Sequence, residues 1–304
     1  MPTETPTATP TDTPTAEPAV LPSLTPTVDV AETSPPLPAR DCAANPVLPP
    51  SAIGGQRLLA YYGTPAGRGL GILGRYDMAT TLSLLNDQAE AYRVLDPCVD
   101  IVLVFHMVTT IADAYPGDDG DYNHRVSHDT IRPWIDGIAA AGGLSILDIQ
   151  PGRASIDTEL SLIEPLVRLP GVHLAIDPEF IVAEGEIPGS NLGKIDGETI
   201  NLAQVWLNSI AEQVGEPKIL VIHQFDNRMM ENKDAIQDYP LVNIVWDADG
   251  FGGPGAKVGD YLQYWQEPGF EYGGIKLFYN YDTPVMTPEQ VMGINPPPAF
   301  VVYQ

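Results

Sequence analysis

The sequence has few basic residues: 15 Lys and Arg stand against 40 Asp and Glu, which gives a formal net charge of −25. Nucleic-acid phosphates and anionic membrane surfaces are bound through clustered Lys and Arg, so this charge argues against either partner. No run of about 18 apolar residues occurs, so no transmembrane segment is expected in this chain. What remains is a globular domain, for which 44% hydrophobic residues supply a core.

Cysteine is scarce as well, and Cys42 and Cys98 are the only two. They could form one disulfide in an oxidising compartment or stay as two buried thiols, and both alternatives remain open. The Gly-x-Ser-x-Gly motif of common serine hydrolases is missing, and no His-x-His pair lies on the first predicted strand. Because the five histidines are scattered, a barrel metallohydrolase would lack ligands, and no metal site is predicted. No cofactor is predicted either. His106 and His223 are expected to bond to substrate or to neighbouring acids.

Proline and threonine, in contrast, crowd the first 40 residues, which contain ten of each and almost no large apolar side chain. Proline at this density removes amide donors and fixes φ, so we expect an extended, solvated stalk over residues 1–40 and one folded domain over 41–304. The stalk resembles those behind the anchors of bacterial lipoproteins and secreted enzymes. No apolar signal segment is present, and Met1 directly before the repeat suggests that an export signal has been removed. The expected location is extracellular or anchored at the cell surface.

The rest of the sequence repeats one unit, a short apolar run followed by polar residues and a helical pattern. Near-continuous β-branched and aliphatic runs are typical of strands buried on both faces of a parallel sheet. Eight such strands are predicted: Arg57–Tyr62, Asp100–Val108, Leu144–Gln150, Val172–Glu179, Lys218–Phe225, Val242–Asp249, Gly274–Tyr281 and Ala299–Gln304.

Helical patterns separate these runs. Eight strands alternating with helices over about 250 residues favour a (β/α)8 TIM-type barrel. The last strand ends the sequence, so the last helix is missing, and residues 41–56 could cover the gap. An open doubly wound sheet is the alternative, and the lack of a glycine-rich phosphate motif disfavours it. The helices are predicted over Asp77–Leu95, Asp129–Ala141, Asp157–Leu169, Asn201–Val214, Gly259–Trp265 and Pro288–Met292.

Two pairs of carboxylates lie at the ends of predicted strands. Asp177 and Glu179 share one face of the fourth strand, and Asp247 and Asp249 share one face of the sixth, opposite Trp246. In such a barrel, inward residues near the carboxyl ends of the strands form the active-site floor. Two close carboxylates do not both ionise easily, so one pKa should rise, which suits a general acid. These four acids are the predicted catalytic residues.

Most other predicted strands also end in polar or aromatic side chains, which indicates that the barrel mouth binds a ligand. Core packing is the alternative for each aromatic, most of all for Trp246. The alternative for Asp177 is a cap of the next loop or a pair with Arg153. The residues predicted to contact substrate are Tyr61, Tyr62, His106, Asp148, Gln150, His223, Gln224, Tyr279, Asn280, Tyr281 and Tyr303.

Two further features have alternative roles. Lys276 in the seventh predicted strand could form a Schiff base, although a buried pair with Asp247 or Asp282 is the plainer interpretation. Residues 117–121 form an acidic loop, Gly-Asp-Asp-Gly-Asp, whose clustered oxygens suit Ca²⁺. The loop lacks the following acidic ligand of an EF-hand, which favours a solvated turn.

Several segments of the second half carry a resemblance: residues 175–179 (Ala-Ile-Asp-Pro-Glu), 223–225 (His-Gln-Phe), 249–250 (Asp-Gly), 276–279 (Lys-Leu-Phe-Tyr) and 303–304 (Tyr-Gln). Through them the globular part resembles a group of uncharacterised bacterial proteins that are secreted or lipid-anchored. Asp177-x-Glu179 is also similar to the end of the acidic motif in chitinase-like and lysozyme-like barrel glycosidases. That resemblance implies that Glu179 is the proton donor and Asp177 assists it. The two earlier acidic positions of the motif are His173 and Ala175 here.

The combined expectation is an extracytoplasmic glycoside hydrolase, monomeric and acting on a polysaccharide or cell-envelope glycan. Glu179 would be the general acid, and Asp247 or Asp249 the nucleophile, base or water positioner. The competing hypothesis is a non-catalytic glycan-binding or surface-scaffold barrel. A second carboxyl across a gap from Glu179 distinguishes the two, because Asp177 and Glu179 on one strand cannot straddle a sugar.

Overall fold

The computed structural model describes residues 52–304, all within the compact unit Arg40–Gln304. The predicted stalk over residues 1–40, the segment 41–51 and with it Cys42 lie outside the described residues. Cys98 is disulfide-bonded. The alternative of two buried thiols is therefore wrong for this residue.

Eleven strands and six α-helices occur in the described part of the chain. The strands are β1 (Arg57–Gly63), β2 (Ile101–Ala112), β3 (Asn123–Arg125), β4 (Leu144–Ile149), β5 (Val172–Ile176), β6 (Ile195–Asp196), β7 (Lys218–Gln224), β8 (Met230–Glu231), β9 (Val242–Ala248), β10 (Tyr272–Leu277) and β11 (Phe300–Tyr303). The helices are α1 (Met78–Leu95), α2 (His128–Ala140), α3 (Ile156–Val167), α4 (Gly197–Val214), α5 (Pro254–Tyr264) and α6 (Pro288–Met292).

Eight of the strands form a closed barrel in which all neighbours are parallel. Their order is β1, β2, β4, β5, β7, β9, β10 and β11, and β11 pairs with β1 to close the ring. The short β3 adds to the end of β2 in antiparallel fashion, and β6 and β8 form a separate two-stranded sheet. The predicted (β/α)8 barrel is therefore confirmed, with every predicted barrel strand in place.

Polar caps position the helices against the barrel. The side chain of Asp77 accepts a hydrogen bond from the Thr80 amide at the start of α1, and Asp196 accepts one from Thr199 at the start of α4. Each cap satisfies one of the amide donors that the first helical turn leaves unpaired. α4 begins four residues earlier than predicted because Asp196, and not a later residue, is its cap. α5 begins five residues earlier because Pro254 fits its first turn.

The connection between β7 and β9 departs from the regular barrel pattern. Two 3₁₀ turns, Asn227–Met229 and Lys233–Ala235, stand there in place of an α-helix. Across residues 52–304, none of the helices is both long and apolar enough to cross a membrane.

Two apolar clusters show which way each strand faces. Ala175, Val221 and Val245 belong to the cluster inside the barrel, whereas Leu174, Ile176 and Trp246 belong to the larger one between barrel and helices. Strand residues alternate between these sides, so the predicted facing is confirmed for Leu174 to Ile176 in β5 and for Val245 and Trp246 in β9. Towards the carboxyl ends of the strands the interior changes from aliphatic to polar.

Candidate functional site

A pocket of about 420 Å³ opens at the carboxyl ends of the barrel strands. One part of its wall is polar and the other is rich in Phe and Tyr. This is the end of the barrel where the predicted active site was placed. The lining residues are Tyr62, Leu70, Gln150, Asp177, Glu179, Phe180, Phe225, Asp249, Gly250, Phe251, Asp260, Lys276, Phe278, Tyr281 and Gln304.

Asp177 follows directly after β5 and is 3% exposed. One oxygen caps the next turn by accepting from the Glu179 amide at 3.2 Å, as the capping alternative anticipated, and the other lies 3.4 Å from the Gln150 amide nitrogen. Arg153, the other anticipated partner, instead donates to the Glu186 carbonyl. Burial raises the pKa of Asp177 to about 8; the charge of His223 opposes this rise, and the charges of Asp148 and Asp249 add to it. Asp177 therefore keeps its proton to a higher pH than an ordinary aspartic acid does.

Glu179 does not lie on the strand, as the sequence predicted, because β5 ends at Ile176. It lies in the 3₁₀ turn Pro178–Phe180, half-buried at the edge of the pocket. Burial and the negative charge of Asp249 raise its pKa above the ordinary value for Glu. The expected alternation of Asp177 and Glu179 on one strand face therefore fails, although both side chains reach the same pocket.

Asp249 and Lys276 form a buried ion pair in the pocket wall. The ammonium nitrogen lies 3.1 and 3.2 Å from the two carboxylate oxygens and 3.7 Å from the centre of the Tyr62 ring. Burial alone raises the pKa of Asp249, but Lys276 and His223 outweigh it and lower that pKa. Burial likewise lowers the pKa of Lys276, but Asp249 and the other acids outweigh it and raise it. A charged ammonium is not a nucleophile, which argues against a Schiff base here.

The expected partner of Lys276 was Asp247 or Asp282, and both assignments are wrong. Asp282 lies 3.4 Å from Lys257 and accepts from the Phe278 and Gly252 amides. Asp247 lies deeper in the barrel, beside His223.

Four of the predicted site residues lie inside the barrel, one layer below the pocket. They are His106, Asp148, His223 and Asp247, and each is 0% exposed. The rings of His106 and His223 stack with their centres 5.2 Å apart, although they come from strands far apart in the sequence. The Tyr62 hydroxyl donates to Asp148 Oδ2 at 2.8 Å. No sequence signal could have revealed this meeting, because it depends on side chains crossing the closed barrel.

Other residues predicted to contact substrate lie away from the pocket. Tyr61 and Tyr303 face outward against α1, where Tyr61 donates to the Leu84 carbonyl and Tyr303 lies 2.7 Å from the Tyr92 hydroxyl. Tyr279 stacks on Tyr303 with ring centres 5.5 Å apart. These three are corrected to packing residues: Tyr61 and Tyr303 alternate with the inward residues of β1 and β11, and Tyr279, in the turn after β10, packs on Tyr303. Two more also fall outside the pocket lining, namely Gln224, which accepts from Lys233, and the exposed Asn280.

The aromatic wall of the pocket is broader than the sequence indicated. Phe251, Phe278 and Tyr281 form a cluster with ring centres 5.8 to 6.3 Å apart. Phe251 and Tyr281 are 70% and 64% exposed, which is unusual for such large apolar surfaces. Phe180 was missed because it lies in a turn and not at a strand end.

The acidic loop after β2 is paired with the side chain of Arg125. Arg125 in β3 lies 3.1 Å from Asp119, 3.2 Å from Asp121 and 2.6 Å from Glu159. This network favours the solvated turn over the Ca²⁺ loop, since the guanidinium already neutralises the clustered carboxylates.

Comparison with known proteins does not identify a family for this chain. No family model matches the chain, and no curated protein does. Among solved structures, one match is a tryptophan synthase from M. tuberculosis in an aminoacrylate- and BRD0059-bound form. It has a TM-score of 0.34 and 16% sequence identity over 83% of this chain and 83% of that one.

The prediction of a glycoside hydrolase is corrected by these findings. None of the comparisons gives evidence of a glycosidase. The geometry supplies the physical reason: Asp247 is sealed below the pocket, and Asp249 is held by Lys276 and His223. Neither is a free carboxylate facing Glu179 across a gap, as glycoside cleavage requires. The glycan-binding alternative has no support in these findings either.

Proposed function

We propose that the barrel mouth is the active site of an enzyme that donates a proton to a small, uncharged molecule, with Asp177 as the general acid. The observation that carries this proposal is the position of Asp177. It is a buried carboxyl in the wall of an open pocket, and among the described residues no cationic side chain lies within ion-pair distance of it. A carboxyl that holds its proton at neutral pH next to a ligand is what general-acid catalysis needs.

Charge and size support this class of substrate. The net charge of −25 repels anions from the chain, and the one cation in the pocket lining, Lys276, is already paired with Asp249. A cavity of about 420 Å³ is within the usual range for small-molecule sites. The Phe251, Phe278 and Tyr281 cluster supplies a face on which an apolar or aromatic part of the substrate can pack.

Glu179 is the second proton carrier that we assign to this site. It lines the same pocket as Asp177, and its raised pKa brings it nearer to neutral pH. The Asp249–Lys276 pair is fixed charge beside these two carboxyls, and it can stabilise charge that develops on the substrate.

We also propose that the protein works outside the cytoplasm. The disulfide at Cys98 supports this, because disulfides persist in oxidising compartments. The Thr- and Pro-rich composition of residues 1–40 supports it as well.

The proposal is tested with a panel of single-ring compounds that are neutral, cationic or anionic. Compounds that raise Tm are incubated with the protein, and NMR follows their conversion. Neutral compounds should bind best, and Asp177→Asn should lower turnover by roughly 10²–10⁴-fold while keeping binding. Glu184→Gln, which changes an exposed carboxyl outside the pocket, is the matched control and should change neither. Preferential binding of anions, or unchanged turnover in Asp177→Asn, would contradict the assignment.

A further inference from the structure

The layer below the pocket concentrates buried polar atoms that lack hydrogen-bond partners. Neither ring nitrogen of His106 has one among residues 52–304, nor does Asp148 Oδ1 or Asp247 Oδ1. Leaving such a group unsatisfied costs about 1–3 kcal/mol each, so a folded chain rarely collects several in one place. The concentration indicates that these side chains are arranged to bind something.

Two of these side chains, His106 and Asp148, converge with His223 on one point. His106 Nε2 and His223 Nε2 lie 3.7 and 3.4 Å from Asp148 Oδ2. One donor atom from each residue lies within 4.8 Å of the other two. In a tetrahedral site with ligands about 2.1 Å from the metal, neighbouring ligand atoms stand about 3.4 Å apart. The two separations from Asp148 Oδ2 fit a shared metal ion better than hydrogen bonds.

We propose that His106, Asp148 and His223 bind one divalent transition-metal ion of the Zn²⁺ type inside the barrel, one layer below the mouth pocket. Two imidazoles and one carboxylate suit Zn²⁺, Co²⁺ or Fe²⁺, whereas Ca²⁺ and Mg²⁺ prefer oxygen ligands alone. This site is distinct from the proton-donating pocket and does not rest on the proposed function.

The groups around these three residues are those that metal ligands need. His223 Nδ1, on the far side of the ring, lies 3.1 Å from Asp247 Oδ2 and 3.2 Å from Asp249 Oδ2. Carboxylates in this position orient a ligating histidine and fix its tautomer. The Tyr62 hydroxyl, which donates to Asp148 Oδ2, orients the ligating carboxylate in the same way. Orienting His223 explains why the carboxylate of Asp247 is buried inside the barrel.

A metal-free charge network is the competing arrangement. Although burial lowers it, Asp148, Asp247 and Asp249 raise the pKa of His223 well above its ordinary value, so the ring could bridge these acids as an imidazolium. That network leaves both nitrogens of His106 without a partner, whereas a metal ion uses one of them. The other cluster with ligand spacing, His223 with Asp247 and Asp249, already has Lys276 beside it. A second cation is disfavoured there by repulsion.

The test uses Co²⁺ as the probe. Because the ligands are fully buried, the wild-type chain is unfolded with a chelator, refolded with and without Co²⁺, and freed of excess ion. One Co²⁺ per chain, a visible ligand-field absorption and a higher Tm are expected. His106→Gln and Asp148→Asn should lose the ion, and Asp247→Asn should bind it roughly 10–100-fold more weakly.

Three control variants show whether the ion is bound by these ligands and not elsewhere on the chain. His173→Gln changes an equally buried histidine, and His124→Asn changes an exposed one 2.6 Å from Asp113. Both should keep the ion, as should Asp177→Asn, which removes the proposed acid. If refolded wild type takes up no stoichiometric Co²⁺, or if His106→Gln takes up the same amount with the same spectrum, the metal site is disproved. A doubly protonated His223 ring seen by ¹⁵N NMR in wild type refolded with Co²⁺ would establish the charge network instead.

Discussion

Lys276 controls the ionisation of Asp249, because its ammonium group contacts that carboxylate in the pocket wall. Removing one partner of a buried ion pair leaves an uncompensated charge and typically costs about 3–5 kcal/mol. Lys276→Met should therefore lower the free energy of unfolding by that amount, as measured by urea denaturation. Adding Asp249→Asn to it should recover part of the loss.

The matched control for Lys276→Met is Lys194→Met. Lys194 lies 2.9 Å from Glu231, but both side chains are more than half exposed. Exposed pairs are worth about 0–1 kcal/mol, so this change should be small. Equal losses in the two variants would show that Lys276 matters for its packing and not for its charge.

Asp177 makes a prediction about pH. Its pKa of about 8 in the folded chain lies above the ordinary 3.8, so the folded state holds an extra proton between these values. The stabilisation that the folded state gains from this proton on Asp177 is complete below about pH 4. It is lost as pH rises towards 8, at no more than about 1.4 kcal/mol per pH unit. Urea denaturation from about pH 5 to 8 should show a steeper decline for wild type than for Asp177→Asn. Parallel curves would mean that Asp177 is ionised throughout.

At the scale of residues, the sequence was informative about which side chains face inward and poor at assigning their roles. Alternation placed Asp177, Asp247 and Asp249 correctly on the barrel side of their strands. It could not show that Asp247 and Asp249, two residues apart, lie in different layers with different partners. It also assigned Tyr61, Tyr279 and Tyr303 to the mouth, because polarity at a strand end does not reveal which side of the barrel a hydroxyl faces.

Among the secondary-structure elements, β10 and α5 pack closely because β10 has a glycine, Gly273, at their contact. A Cβ added at Gly273 would lie 2.6 Å from the ring carbon Cζ of the buried Tyr261 in α5. Gly273→Ala should therefore push the helix from the barrel and cost about 1–3 kcal/mol. Thermal unfolding measures the effect directly.

Gly259→Ala is the control in the same helix. Gly259 has nothing within 4 Å of an added Cβ. Because alanine has the higher helix propensity, this change should stabilise the protein by up to about 1 kcal/mol. A neutral Gly273→Ala alongside it would show that Tyr261 can move aside at little cost.

Helices and strands were the most predictable part of the fold. Uninterrupted apolar runs revealed all eight barrel strands, because each is buried on both faces. The ends of α4 and α5 were misplaced, since their caps lie before the apolar pattern begins. β3, β6 and β8 were missed because strands of two or three residues carry no periodic signal.

For the whole molecule, closure of the barrel depends on β11, which pairs with β1 on one side and β10 on the other. Deleting residues 300–304 should leave an open sheet with two unpaired edges, so cooperative unfolding should be lost and the protein should aggregate. Circular dichroism during heating and light scattering measure both. Tyr303→Phe, which keeps the strand and removes the hydroxyl contacts with Tyr92 and Gln88, should cost about 1 kcal/mol. A cooperative transition in the truncated chain would show that the other seven strands suffice.

The arrangement of polar residues in two layers has a consequence for protein engineering. At the carboxyl ends of β4, β7 and β9 a pocket residue lies two positions after a deep one: Gln150 after Asp148, Phe225 after His223 and Asp249 after Asp247. The deep residues keep their neighbours when Gln150 and Phe225 are replaced, because they contact one another and Tyr62. A library randomised at Gln150, Phe225 and the exposed Phe251 should thus yield mostly folded chains with differently shaped pockets. The lining of the pocket can therefore be changed by mutation while the side chains inside the barrel stay the same.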